Sequence, residues 1–171
     1  TRFGKDNPDL RYGLELKDVK DLVTGSGFKV FDAAITQNGD IRGLNAKGCA
    51  DYTRKQIDEL TEYVKTFGAK GLAYIAIPEE GELRSTFTKF LTEEITQALL
   101  QRMDARPGDL LLFVADQPAV VFESLARLRV LLAERLNLVD PNLLAFCWVI
   151  DFPFVNWSAE ENRWDPSHHL F

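Results

Sequence analysis

Histidine, cysteine and methionine are close to missing from this chain: of 171 residues, two are His, two are Cys and one is Met. Cys49 and Cys147 stand far apart, without a C-x-x-C or Cys/His ligand spacing, so neither a disulfide framework nor a zinc site is indicated. Two free thiols in a reducing cytoplasm are expected. Basic charge is in deficit, with 20 Lys and Arg against 26 Asp and Glu, a net charge of -6 and a pI near 5.0. That balance argues against binding nucleic acid through a dominating basic surface; any RNA contact must be local or supplied elsewhere. No apolar run approaches the roughly 20 residues needed to span a bilayer, and the amino terminus lacks the basic-then-apolar order of a secretion signal. A cytoplasmic location follows as an expectation. Also missing are a phosphate-binding GxxxxGK[ST] loop, a GxGxxG turn after a strand, and an aromatic-basic alternation of the RNA-recognition kind. There is no initiator methionine either; the chain starts at Thr1 and stops on Leu170-Phe171, so both ends read as cuts.

What is present suits one sizeable core with extensions, since 46% of the residues are hydrophobic and 27% charged. Residues 1–16, with Gly4, Asn7, Pro8 and Gly13 among charges, read as a connector. Val19, Leu22 and Val23 suggest a short helix closed by Gly25-Ser26-Gly27. The aromatic and β-branched stretch 28–35 reads as a strand, Asn38-Gly39 as a hairpin turn, and 41–46 as the returning strand. Thr53 can cap a helix whose stripe is Ile57, Leu60, Val64 and Phe67 and whose stop is Gly68, with Arg54 and Asp58 one turn apart. A buried strand over 72–77 ends at Pro78; a polar excursion over 79–91 and a helix over 92–103 follow, with Glu93 and Glu94 matched to its amino-terminal dipole. The run 110–114 reads as a central strand, and Val121, Leu125, Leu128, Leu132 and Leu136 as one face of a long helix over 117–137. Pro118 is tolerated in its first turn. The plan is α+β, a mostly antiparallel sheet with helices on one face. The compact domain is expected to end near Val139. Beyond it, 146–152 reads as an apolar strand interrupted by Asp151 and leading through an acidic turn at 158–162 towards Trp164.

Candidate chemistry is sparse. His168 and His169 are the only histidines, and neighbours on an extended chain point to opposite sides, so one could face a pocket while the other packs. As a blind reading, plain surface or core outweighs a ligand role. Ser158 and Ser167 lack the G-x-S-x-G surroundings of a hydrolase nucleophile. Asp151 sits in so apolar a run that burial would demand a partner, and an ion pair or hydrogen-bonded turn is preferred to catalysis. Arg2, Lys5, Asp9 and Arg11, near Gly4 and Pro8, could hold phosphate or a carboxylate, or form a solvated connector. Arg127, Arg129 and Arg135 on the long helix could meet an RNA backbone, but arginines on a solvent face need no such role.

Three stretches add a resemblance. Arg2-Phe3-Gly4-Lys5-Asp6-Asn7-Pro8-Asp9-Leu10-Arg11 is similar to the R-[FY]-G-x-D-x-P-D-L-R segment that follows motif 2 in bacterial aspartyl-tRNA synthetases. Trp148-Val149-Ile150-Asp151-Phe152-Pro153 resembles their WVxDFP strand, which re-enters the catalytic sheet. Thr53-Arg54-Lys55-Gln56-Ile57-Asp58 and Gly68-Ala69-Lys70-Gly71-Leu72-Ala73 resemble the core of the GAD domain, which is inserted in those enzymes and shared with subunits of tRNA-dependent amidotransferases. The resemblance implies three parts: a catalytic-domain connector (1–16), a GAD insertion domain of two layers built from strand-strand-helix repeats (17–139), and a return into the catalytic domain (140–171). It implies a parent enzyme, usually a homodimer, that activates L-aspartate with ATP and Mg²⁺ and transfers it to tRNA. Motif 2 would lie before Thr1 and motif 3 after Phe171, so this segment by itself is expected to be inactive and to bind no cofactor or metal. His168 matches the first position of the family's HHPF pair and is implied to contact L-aspartate, with His169 as its supporting neighbour; Leu170 stands where proline is usual. No catalytic residue is implied in the insert, whose expected role is to accommodate the acceptor arm of tRNA. A tRNA-binding module of an amidotransferase subunit is the alternative.

Overall fold

The structure is a computed structural model that describes residues 2–151, 153–158 and 160–167. Its centre is the strand the sequence marks most strongly. Leu-Leu-Leu-Phe-Val-Ala-Asp offers an apolar side chain to both faces at nearly every position, and such a strand must be covered on both sides. Seven elements built around it are β1 (Lys17–Asp18), α1 (Lys20–Val23), α2 (Lys29–Thr36), β2 (Asp40–Ala46), α3 (Arg54–Lys65), β3 (Ala73–Ala76) and β4 (Arg84–Ser85). They are followed by α4 (Glu93–Arg102), the central strand β5 (Leu110–Asp116) and α5 (Pro118–Arg135). The sheet order is β1-β2-β5-β3-β4, with every neighbouring pair antiparallel. β2 lies along the full length of β5, from Asp40 opposite Asp116 to Ala46 opposite Leu110.

The α+β plan and its antiparallel sheet hold, but the helices lie on both faces rather than one. Leu110, Leu112 and Val114 share a core with Ile57, Leu60 and Val64 of α3 and with Val121, Leu125, Leu128 and Leu132 of α5. Leu111, Phe113 and Ala115 point the other way, into a second core with Val19 and Val23, Phe31 and Ala34, and Leu99 and Met103 beside α1, α2 and α4. The alternation along β5 makes both cores obligatory; a sheet covered on one face would leave Phe113 in water.

The stretch 28–35 is helix α2 over most of its length, not a strand. Its buried residues are Phe31 and Ala34, with Phe28 and Ile35 packed against the same core, a spacing of three and four that the aromatic and β-branched composition masked. Asn38-Gly39 therefore ends a helix instead of turning a hairpin. Asn38 takes φ 56, its N–H donates to the Ile35 carbonyl at 3.0 Å, and the Gly39 N–H donates to the Ala34 carbonyl at 2.8 Å. This is a Schellman closure, which uses the same left-handed tolerance as a hairpin turn. β2 is a strand as expected, but its partners are β1 and β5.

The remaining helices start where capping chemistry places them. Thr53 accepts from the Gln56 N–H while the Gln56 side chain accepts from the Thr53 N–H, a complete capping box for α3. Thr92 caps α4 ahead of Glu93 and Glu94, and Pro118 occupies the first turn of α5.

Past Val139 the described chain leaves the core. The expected strand over 146–152 is not formed among the described residues: 143–150 has no regular structure, Phe146 is 87% and Trp148 94% exposed. Among the described residues no strand pairs with it to take its backbone hydrogen bonds, and apolar composition alone does not make a strand. Asp151 is exposed at φ 55, so the burial that was to demand a partner for it does not occur. Of the acidic turn, the described residues 160–162 form a turn before β7 (Arg163–Pro166), which pairs with β6 (Val155–Ser158) and sets Trp157 and Trp164 edge-to-face at 5.4 Å.

A candidate functional site where the flanking segments meet

The connector before β1 has no regular secondary structure, yet it is fastened to α5. Gly4, at φ 78, lies so close to that helix that a Cβ would sit 2.6 Å from the Phe122 carbonyl and 2.9 Å from the Ala126 methyl. Leu16 donates its N–H to the Arg2 carbonyl at 2.8 Å, closing the segment on itself.

Arg129 holds what lies between. Its side chain, expected on a solvent face, belongs to a residue only 1% exposed. Nε donates to the Gly13 carbonyl at 2.9 Å and the Leu14 carbonyl at 3.2 Å, and Nη2 to Gly13 at 2.7 Å and to the Asp9 carbonyl. Nη1 reaches the Tyr12 hydroxyl at 3.3 Å. The guanidinium centre is 4.3 Å from the Tyr12 ring centroid and 4.7 Å from that of Phe3. Burial pushes its pKa down, opposed by Tyr12, Asp9 and Glu15; guanidinium basicity is high enough that it keeps its proton. The signal was in the sequence: 129 falls four residues after Leu125 and so continues the buried stripe of Val121 and Leu125.

The other arginines behave as surface residues. Arg127 bonds Glu123 at 2.7 Å one turn away and lies over the Phe67 ring, and Arg135 is exposed. In the connector, Arg11 grips Asp9 with Nη2 at 2.6 Å and holds its carboxyl below the usual carboxylate range; Arg2 pairs with Glu15 and does the same to it. Of the cations proposed for an anion, Arg2 and Arg11 are thus engaged internally, while Lys5 makes no ion pair among the described residues.

The connector forms one wall of a cleft of about 850 Å³. The connector lines it with Arg2, Lys5 and Asp6 beside Phe3, and the later segment with Trp148, Ile150, Asp151 and Ser167, so most of its charge comes from the connector. Two segments from opposite ends of the chain, both singled out by resemblance, therefore face one space. The volume suits a small organic ligand, with a few charges to orient it. Neither serine is set up as a nucleophile in the described geometry: the Ser167 hydroxyl has no hydrogen-bond partner there, and Ser158 accepts from the Glu161 N–H as a turn residue. Among the described residues no three His, Cys, Asp or Glu side chains come together as a metal site. His168 and His169 lie outside the described residues. Cys49 is buried and Cys147 exposed, both as free thiols, and no described helix is long and apolar enough to cross a membrane.

Comparison with known proteins places residues 31–125 in the GAD domain family. The whole chain is 57% identical over 171 residues to an aspartate–tRNA(Asp/Asn) ligase of Symbiobacterium thermophilum, covering 29% of that protein. It is 46% identical over 170 residues to an aspartate–tRNA ligase of Ruminiclostridium cellulolyticum, again covering 29% of it. An aspartate–tRNA(Asp/Asn) ligase of Heliobacterium modesticaldum is 52% identical over 170 residues, with 28% covered. The chain thus spans under a third of the length of the relatives it matches.

Proposed function

The chain belongs to the GAD domain family, and on that premise we propose that it serves as the insertion module, with its catalytic-domain flanks, of a bacterial aspartate–tRNA ligase. The observation that carries this reading is the extent of the similarity: the match to ligases runs over 100% of the chain, well past residues 31–125, and so takes in both walls of the cleft. A GAD domain of an amidotransferase subunit has no reason to be flanked by those two walls.

In this reading residues 17–139 form the insert, 1–16 lead into it, and 140–171 return from it. The parent enzyme works in the cytoplasm as a homodimer, activates L-aspartate with ATP and Mg²⁺, and transfers it to tRNA. ATP and Mg²⁺ are cofactors of that parent; among the described residues no three His, Cys, Asp or Glu side chains are grouped to hold the metal. His168 is assigned to the L-aspartate site with His169 supporting it. The insert accommodates the tRNA acceptor arm; the net charge of -6 on the chain as a whole is consistent with yielding space to RNA rather than gripping it over a broad surface.

The test is a parent enzyme in which residues 17–139 are replaced by a short linker. Aspartate-dependent exchange between ATP and pyrophosphate should persist, while the rate of tRNA aminoacylation falls by roughly tenfold or more, a loss typical of misplacing one bound reactant. Aminoacylation kinetics equal to those of the intact parent would remove the insert from tRNA handling.

A further inference from the structure

We infer that Arg129 is a positioning residue: from α5 it fixes the connector, and through it sets the charged wall of the cleft. Along this face the helix buries Leu125, Leu128 and Leu132, yet at 129 it buries a cation. A buried charge is tolerated only where its donors are satisfied, and here the fork is directed at the connector alone: the carbonyls of Asp9, Gly13 and Leu14 and the hydroxyl of Tyr12. No carboxylate pairs with it among the described ion pairs, and apart from the Tyr12 hydroxyl the polar partners it selects are backbone carbonyls, which is how a side chain specifies the path of a loop.

Two further contacts make the clamp reach the cleft. The Phe3 ring that stacks on the guanidinium is itself a cleft residue, between Arg2 and Gly4. Gly4 allows the segment to lie directly on the α5 backbone, where any side chain would collide with Phe122. Lysine could replace the charge of Arg129 but not its planar fork, which bonds several carbonyls while stacking on two rings. The clamp stands on this geometry; its consequence for substrate rests on the ligase reading.

Amide hydrogen exchange on the 171-residue chain tests the clamp. The reporters are the N–H groups of Gly13, bonded to Leu10, and Leu16, bonded to Arg2, with the amides of β5 as the reference for global stability. Arg129→Lys should speed exchange at Gly13 and Leu16 by roughly tenfold while β5 changes by less than about twofold, because local opening need not follow global unfolding. Gly4→Ala leaves Arg129 intact and pushes the connector off α5 at Phe122 and Ala126, and should give the same local pattern. Equal acceleration in connector and sheet, or none in the connector, overturns the inference. In the full-length parent, Arg129→Lys should raise KM for aspartate several-fold in pyrophosphate exchange with kcat within about twofold, since a loosened wall lowers the fraction of enzyme competent to bind. A loosened connector with unchanged KM overturns the link to the cleft. A wild-type parent without aspartate-dependent exchange would instead strike the ligase reading, and the clamp would still be judged by its amides.

Discussion

At the scale of single residues, the fold rests on places where a side chain is missing as much as on those where one is buried. Gly43 in β2 lies under the Phe113 ring, and a Cβ there would sit 2.5 Å from Phe113 Cδ1 and 3.0 Å from Met103 Cε. Gly43→Ala should therefore destabilise by roughly 1–3 kcal/mol, the range for overpacking a filled core, read as a lower urea midpoint with an unchanged slope. A midpoint equal to the wild type would show that Phe113 moves freely. Charge at the surface gives a second prediction, of acid sensitivity. Asp9, Glu15 and Asp21 are held below the ordinary carboxylate range, each chiefly by a hydrogen-bonded arginine: Arg11, Arg2 and Arg102 respectively. With folded values below unfolded ones, their contribution is complete above a pH of about 4 and is lost as pH falls through the lowered values. Asp9→Asn should flatten the decline in stability between about pH 4 and pH 2; an unchanged slope would mean that its pairing with Arg11 adds nothing in solution. Both outcomes can be read from urea titrations across that range. Arg129 shows how far a residue can be read from sequence. Its place on the buried stripe was legible, but most of its hydrogen-bond partners are backbone carbonyls, which carry no sequence signature.

At the scale of elements, caps were more legible than types. Thr53 with Gln56, Thr92 with its two glutamates and Pro118 mark their helices because the first-turn N–H groups need acceptors that few residue types supply. Thr53→Ala should accordingly cost about 1 kcal/mol, with Thr53→Ser recovering most of it; equal stability of all three would dismiss the box. α2 was misread because Phe28, Val30, Phe31 and Ile35 favour strands as residues while their spacing serves a helix, and tertiary contact of Phe28 and Phe31 with Phe87, which itself packs on Phe113, decides between the two. Asn38-Gly39 then followed the error, since left-handed residues end helices as readily as they turn hairpins. The apolar stretch before β6 failed for a different reason. Strand formation is a property of two segments, and sequence shows one at a time.

At the scale of the whole molecule, β5 is where the reading and the structure agree most fully: a wholly apolar run became a central strand, and its two-sided burial explains why helices stand on both faces. The cleft was legible only in part. Its two walls were each marked by resemblance, but that they face one another across about 850 Å³ is a matter of chain path, fixed by Gly4, Arg129 and the turn of the chain after α5. On the ligase reading, this chain carries one side of a substrate site and no complete chemistry. Aspartate-dependent exchange between ATP and pyrophosphate, measured side by side on this chain, on the full-length parent and on the parent with His168→Ala, tests that claim most directly. The expected result is a silent chain, an active parent, and a parent weakened by roughly tenfold or more when His168 is removed, as for loss of one substrate-orienting group. Exchange by this chain alone, or a parent indifferent to His168→Ala, would contradict it.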